Sequence, residues 1–456
     1  MITMSLQMIA KIVHGQLIGA DIKINNVAID TRKINNNCIF IALKGKKFDA
    51  HNFAIDAIRK GALALLISKY LPINISQILV SDTRIALGLL SAWVRQQITI
   101  RMIALTGSSG KTSVKEISAA ILHHCGNVLY TSGNFNNDIG VPLTLLLLKP
   151  KHKFAVIELG ANHIGEISYM INLVKAESVL INNIAVAHLD GFGSLAGVAQ
   201  AKGEIFNGLA TNGTAIINAD SNDWKNWQNK ITNQRLWRFS LQKNRSVEFF
   251  ATCIHVTHQN TSFKLHTPFG AISVVIPLLG YHNIANVLAA TALTMSVSAT
   301  LDNVRQGLSQ LKTIPGRLYP ISLNSQQLIL DDSYNANVSS MIAAAQFLGI
   351  TSGYKIMVVG YMDELGVKAK EYHIQVGIAI RAAGIDRVLS FGGLSYLISK
   401  SSGLGKHFTD QISLIAYLKD ILRTHIEITI LVKGSRNSAM DKIVRSLSVQ
   451  KIRRYQ

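Results

Sequence analysis

Short apolar runs, several of them separated by stretches with helical spacing, recur along the whole chain and predict an α/β protein. In the first part they fall at VAID (27–30), CIFIAL (38–43), LALLI (63–67) and ILV (78–80). A second series has IAL (103–105) as the end of a buried strand, the nearly all-apolar FAVIEL (154–159), a strand at 179–184 and another at 215–220. Residues 221–275 hold three of the four tryptophans without a catalytic pattern, and an antiparallel β extension is expected there. From 314 onward strands at 328–335, 355–360, 386–392 and 428–436 alternate with helices, the rhythm of a doubly wound parallel sheet whose ligands sit at the C-terminal strand ends.

The length of 456 residues suggests about three domains, with boundaries at 1–98, 99–313 and 314–456 and Pro315-Gly316-Arg317 as the second linker. The predicted architecture is a small mixed α/β N-terminal domain, a central nucleotide-binding domain with a parallel sheet, and a C-terminal doubly wound, Rossmann-like domain. The charge-free run 285–301 is interrupted by Thr, Ser and Asn and reads as a buried helix, so no integral membrane segment is expected. At the N-terminus no basic segment precedes the apolar residues and no small-residue cleavage site follows, which predicts no secretory leader.

Hydrophobic residues make up 48% and charged residues 16%, a globular composition. The formal charge of +20, from 46 Lys and Arg against 26 Asp and Glu, changes little. The basic residues are scattered, apart from KIRR at 451–454, so they read as a compositional bias and no nucleic-acid partner is expected. Cys38, Cys125 and Cys253 form no C-x-x-C pair, which fits a reducing cytoplasm and gives neither a zinc site nor a disulfide framework.

The stretch MIALTGSSGKTS (102–113) carries the strongest chemistry. Small residues from Thr106 to Gly110 leave backbone N–H groups open, a helix begins at Lys111-Thr112, and together they make a phosphate cradle. Lys111 reaches a terminal phosphate and the Thr112 hydroxyl suits magnesium. The pattern is T-G-x-x-G-K-T, with Leu105 where G-x-x-x-x-G-K-[ST] has its first glycine. Glu158, at the end of a buried strand, is placed either to hold magnesium or to cap the next helix. His188 is a candidate for a second metal or phosphate contact, and Asn283 and Asn286, one turn apart, could read a base edge. Thr31, Arg32, Lys44 and Gly45 follow strands and suit an anionic or hydroxylated ligand, although such residues are also ordinary in loops. Asp331, Asp332, Tyr334, Asn335, Lys433, Ser435 and Arg436 lie at strand ends of the third domain, and the absence of G-x-G-x-x-G argues against a dinucleotide.

These motifs resemble the Mur ligases of peptidoglycan synthesis, from DTR and LKG through TGSSGKTS, GNFNNDIGVPLT, ELGANHIGEI, AHLDGFGSLAGVAQAKGEIF and GYHNIANVLAA to PGR, LDDSYNAN and VKGSR. The resemblance implies an ATP-dependent, amide-forming ligase that proceeds through an acyl phosphate. GNFNN, GANHIGEI and DDSYNAN resemble the member that adds D-alanyl-D-alanine to UDP-N-acetylmuramoyl-tripeptide. It further implies that Thr106, Gly107, Ser108, Ser109, Gly110, Lys111, Thr112 and Ser113 hold the ATP phosphates, with Asn283, Asn286, Arg317 and Asp331 as further ATP contacts. Thr112 and Glu158 would hold one magnesium, and His188 with Lys202, as a carbamylated lysine, a second. The UDP part would lie at Thr31, Arg32, Lys44 and Gly45. Asn134, Asn136, Asn137, Tyr334, Asn335, Lys433 and Arg436 would serve the other substrates. One departure is Tyr361, where relatives carry aspartate, with Asp363 and Glu364 nearby as substitutes. A monomer is expected. The rivals are a sister Mur ligase, a folylpolyglutamate synthetase, a GTP switch built on Asp190 to Gly193, or a nucleic-acid-binding ATPase; no N-K-x-D guanine motif supports the switch.

Overall fold

The structure, a computed structural model, describes residues 1–45, 48–221, 224–242 and 246–448. The KIRR stretch lies outside them. Three large sheets follow one another along the chain. The first has five strands in the spatial order Gln16–Ile18, Ser76–Leu79, Ala62–Ile67, Cys38–Ile41 and Asn26–Ala28. All its pairings are parallel except the first. The four apolar runs expected at the start of the chain all fall on these strands, because both faces of Cys38–Ile41 and nearly all of Ala62–Ile67 are buried.

The central sheet has nine strands, with Arg101–Thr106 between Phe154–Glu158 and Ser178–Ile181. Its parallel part runs further than expected. Arg235–Ser240 pairs parallel with both Thr214–Asn218 and Phe249–Val256, and only the last two pairings, through Thr261–Thr267 to Gly270–Ile276, are antiparallel. The strand expected over 179–184 stops at Ile181 because the next two residues leave the sheet for the phosphate loop: Asn183 O accepts from Ser108 N at 3.0 Å. The Asn-rich stretch 133–142 runs from a turn into a helix. Asn137 Oδ1 accepts from Gly140 N at 2.8 Å at the start of a helix, Gly140–Leu146, whose N-cap is Ile139 and whose first residues are buried.

The charge-free run is a buried helix, Tyr281–Met295, followed by a second helix, Leu301–Ser309. No helix among the described residues is long and apolar enough to cross a membrane. The third sheet has the order Tyr319–Ser322, Gln327–Asp332, Ile428–Lys433, Tyr354–Gly360, Arg387–Phe391, Gly405–Phe408 and is parallel apart from its first strand. Its two edge strands, 319–322 and 405–408, are too polar to read as apolar runs. The first and central sheets share a core: Leu87, Leu90 and Val94 of the helix Thr83–Gln96 pack in one cluster with Ile167, Met170 and Ile171 of Glu166–Val174.

Candidate active site

The site begins where Arg101–Thr106 ends. Thr106 is fully buried and its Oγ1 donates to Leu159 O at 2.7 Å, which ties the strand end to the neighbouring one. Leu105 is a fully buried strand residue paired with Glu158, so the turn starts two residues later and needs no glycine at 105. Gly110 is needed. It has φ 77°, and a Cβ there would collide with the side-chain amides of Asn182 and Asn286. The loop is braced from below: Ser109 N donates to Asn183 Oδ1 at 2.8 Å and Ser108 Oγ to Ala185 O at 3.1 Å. Lys111 opens the helix Lys111–His123, and its Nζ donates to Gly107 O at 2.7 Å. Burial lowers its pKa, while Glu158 pulls it back up. Open N–H groups at a helix start beside a lysine make an anion seat.

Glu158 is almost fully buried, and only half of its carboxylate is used. Oε1 accepts from Asn136 Nδ2 at 2.8 Å, whereas Oε2 has no hydrogen-bond partner among the described residues. An unsatisfied buried carboxylate oxygen is costly unless a cation or donor arrives. Together with the Thr112 hydroxyl it suits a small hard cation bound through oxygen. No cluster of three or more His, Cys, Asp or Glu occurs among the described residues, so such a cation must draw on hydroxyl and phosphate oxygens as well. Lys202, on the helix Leu195–Gly203, is also buried, with Nζ 5.7 Å from the centre of the Phe192 ring. Burial first, and the positive charge of Lys111 second, press its pKa well down. His188 has φ 55°, and its Nδ1 is hydrogen-bonded to the Glu364 carboxylate of the third sheet's loops, which holds Glu364 below its ordinary range.

Lys111, Thr112, Glu158 and His188 open onto one cavity of about 900 Å³, whereas the buried Lys202, Thr106 and Gly107 are not among its lining residues. Its lining includes Ser108 to Ser113, Asn134, Asn136, Asn137, Glu158, His188, Asn283, Asn286, Arg317, Tyr334, Asn335 and Lys433. Asn283 and Asn286 are less free to read a base than their spacing suggests. Asn182 Nδ2 donates to Asn286 Oδ1, Asn286 Nδ2 to Asn283 Oδ1 and Asn283 Nδ2 to Leu279 O, all at 2.9 Å. The third sheet reaches across in two places: Asn337 Nδ2 donates to Ser109 Oγ at 2.8 Å and Arg317 lies 3.5 Å from Thr112 Oγ1 while stacking 4.3 Å over Tyr334. Lys433 is buried, paired with Asp332 at 2.7 Å, and donates to Asn335 O at 2.9 Å.

Several expected residues lie elsewhere. Asp331 does not line the cavity; it accepts from Ser333, and alternation along Gln327–Asp332 turns Asp332 inward instead. Arg436 is also outside the lining, 6.0 Å from the Tyr334 ring. Thr31, Arg32, Lys44 and Gly45 are apart from it: Arg32 is exposed and clasps Asp30, drawing that carboxyl down to about 2, and Lys44 pairs through its backbone with Asp49 in an isolated antiparallel bridge. From the first part of the chain the cavity receives Arg84, ion-paired with Asp138 at 2.9 Å, which sequence reasoning missed. Asn182 and Asn183 were missed too, although a polar pair directly after a buried strand is a usable signal.

Residues 105–294 match the model of the Mur ligase middle domain, and residues 316–436 that of the Mur ligase, glutamate ligase domain. The UDP-N-acetylmuramoyl-tripeptide--D-alanyl-D-alanine ligase of Escherichia coli is 58% identical over 98% of this chain and 99% of its own. That of Haemophilus influenzae is 47% identical over 98% and 99%. A crystal structure of MurF from Acinetobacter baumannii superposes with a TM-score of 0.93 at 34% identity, covering 98% of this chain and 99% of that one. A cradle of the T-G-x-x-G-K-T form, a half-satisfied glutamate beside it, a buried lysine and full-length likeness at this identity lead to one conclusion: the chain belongs to the Mur ligase family.

Proposed function

We propose that the chain is the ATP-dependent ligase that joins D-alanyl-D-alanine to UDP-N-acetylmuramoyl-tripeptide in peptidoglycan precursor synthesis. The observation that carries it is the cavity in which the cradle, Glu158 and, from the third part of the chain, Asn335 and Lys433 meet, in a chain whose full-length relatives bear that name. In the reaction the terminal carboxylate of the tripeptide attacks the γ-phosphorus of ATP and ADP leaves, giving an acyl phosphate. The dipeptide amine then attacks the acyl carbon, phosphate departs with the C–O bonding pair, and the amine gives up its proton.

The chain's own residues set the charge balance. The first step brings two anions together, so positive charge must line the γ-phosphate. Lys111 and the N-terminus of its helix supply it from one side and Arg317 from the other. Thr112 and Glu158 would hold one magnesium, and His188 with Lys202 a second. Bound there, magnesium neutralises phosphate charge. Lys202 takes part as a carbamate: its neutral amine adds to the carbon of CO₂, one N–C bond forms and one proton is released. Burial supports this reading, because it favours the neutral amine that such chemistry requires. Residues 1–98 would bind the UDP end through Thr31, Arg32, Lys44 and Gly45, residues 99–313 ATP, and residues 314–456 the dipeptide. The free thiols of Cys38, Cys125 and Cys253 suit the cytoplasm.

The test is ATP-dependent phosphate release with UDP-N-acetylmuramoyl-tripeptide, with and without D-alanyl-D-alanine, and identification of the product by mass. The expected result is release that depends on the dipeptide and a product of tripeptide plus dipeptide less water. Lys111→Ala lowers turnover on the order of 1,000-fold. Equal release without the dipeptide, or no amide product, overturns the assignment.

A further inference from the structure

The loop that follows Tyr354–Gly360 in the third sheet is more tightly held than a surface connection needs to be. His373 is fully buried, takes the Met362 N–H on Nε2 at 3.0 Å, and through Nδ1 meets Ala369 O at 2.7 Å. Asp363 N donates to Ser435 Oγ at 2.8 Å, Asn437 Nδ2 to Asp363 Oδ2 at 2.9 Å, and Ser435 N to Tyr361 O at 3.0 Å. What this brace presents is Glu364. Its carboxylate bonds His188 Nδ1 and its backbone oxygen accepts from Leu189 N at 2.7 Å, so one residue of the third sheet grips the central unit twice. Gly366 passes close enough that a Cβ on it would lie 3.5 Å from the Leu189 Cβ. Both partners sit in left-handed backbone, His188 at φ 55° and Glu364 at φ 59°, a conformation that non-glycine residues hold only where surroundings impose it.

We propose that Glu364 is a positioning residue for His188, supplied by the third unit to complete the central one. An ionised carboxylate only accepts hydrogen bonds, so it takes the Nδ1–H and leaves Nε2 as the ring atom free to meet a cation in the cavity that His188 lines. The inference rests on the reading of His188 as a metal contact. It adds that the ring is aimed from another sheet, so that docking of the third unit and readiness of the cation site are one event. Tyr361 takes no part in this contact, because its ring lies against Gly392 and Gly393.

The experiment is Mn²⁺ binding to the full-length protein with ADP, followed by electron paramagnetic resonance, for Glu364→Ala, Glu364→Asp, Glu364→Gln and His188→Ala. Glu364→Ala is expected to weaken Mn²⁺ binding about tenfold, and Glu364→Asp, which keeps the charge but withdraws it by one methylene, by a similar factor. Glu364→Gln, whose carbonyl still accepts the Nδ1–H, should restore most of the affinity. Added to His188→Ala, Glu364→Ala should cause no further loss. Normal Mn²⁺ binding in Glu364→Ala or Glu364→Asp, with weakened binding in His188→Ala, overturns the proposal and leaves the metal reading standing. Normal binding in His188→Ala overturns both.

Discussion

Two lysines lie near each other, Lys202 buried and Lys111 half-buried at the cavity wall, and each is pushed towards its neutral form by loss of solvent. They differ in what surrounds them. Lys111 has Glu158 to favour its charge and a backbone oxygen to donate to, and when phosphate is bound it is in the presence of a strong anion. Lys202 has the Phe192 ring and the repulsion of Lys111, a poor setting for an ammonium group and a good one for a nucleophilic amine. If the carbamate is the working form, Lys202→Ala removes a carboxylate and leaves a gap of its size. Turnover should then fall on the order of 100-fold or more and recover in part with added formate or acetate. A variant that stays equally inactive at every acid concentration would show that the lysine serves as something other than a carboxylate carrier.

At the scale of elements, the cradle depends on a helix start with no side-chain cap. Gly110 occupies the N-cap in left-handed backbone, where the amides of Asn182 and Asn286 fill the space a side chain would need. Gly110→Ala therefore combines backbone strain with a collision and should destabilise by about 2 kcal/mol or more. It should also move the loop N–H groups off the phosphates. Thermal unfolding and calorimetric titration with ADP check the two effects separately; unchanged values in both would mean that the amide bracket yields easily. The same element logic explains a displaced residue. Asp331 and Asp332 are adjacent on one strand, side chains alternate between faces, and the aspartate that enters the cavity is the one whose parity matches Lys433 on the neighbouring strand.

At the scale of the whole molecule, the cavity has walls from all three parts of the chain, Arg84 from the first, the cradle from the second and Lys433 from the third. The first and second share a continuous core, which ties them firmly. Between the second and third the polar contacts are few, chiefly Asn337 with Ser109, Arg317 with Thr112 and Glu364 with His188. Motion is expected at that boundary, since contacts of this kind rearrange at small cost. Small-angle scattering should show a smaller radius of gyration when a non-hydrolysable ATP analogue and the UDP-tripeptide are added together. Identical curves with and without them would place binding in a molecule that does not close.

The succession of strands along the chain, the phosphate cradle with its lysine, and the place of Glu158 at the end of a buried strand were legible in the chain, because each is a local matter, whereas the contact of Asn136 with Glu158 was not. Burial leaves unbroken apolar runs, a glycine turn before a helix leaves open N–H groups, and an acid at the end of a buried strand has few other uses. What no stretch of residues contains is which side chains from separate sheets face one another. The pairing of Glu364 with His188, the entry of Arg84 and Asp332 in place of Arg32 and Asp331, and the amide chain from Asn182 to Asn283 depend on strand parity and on the docking of one sheet against another. Those are decided by packing over the whole core, so only the tertiary structure specifies them.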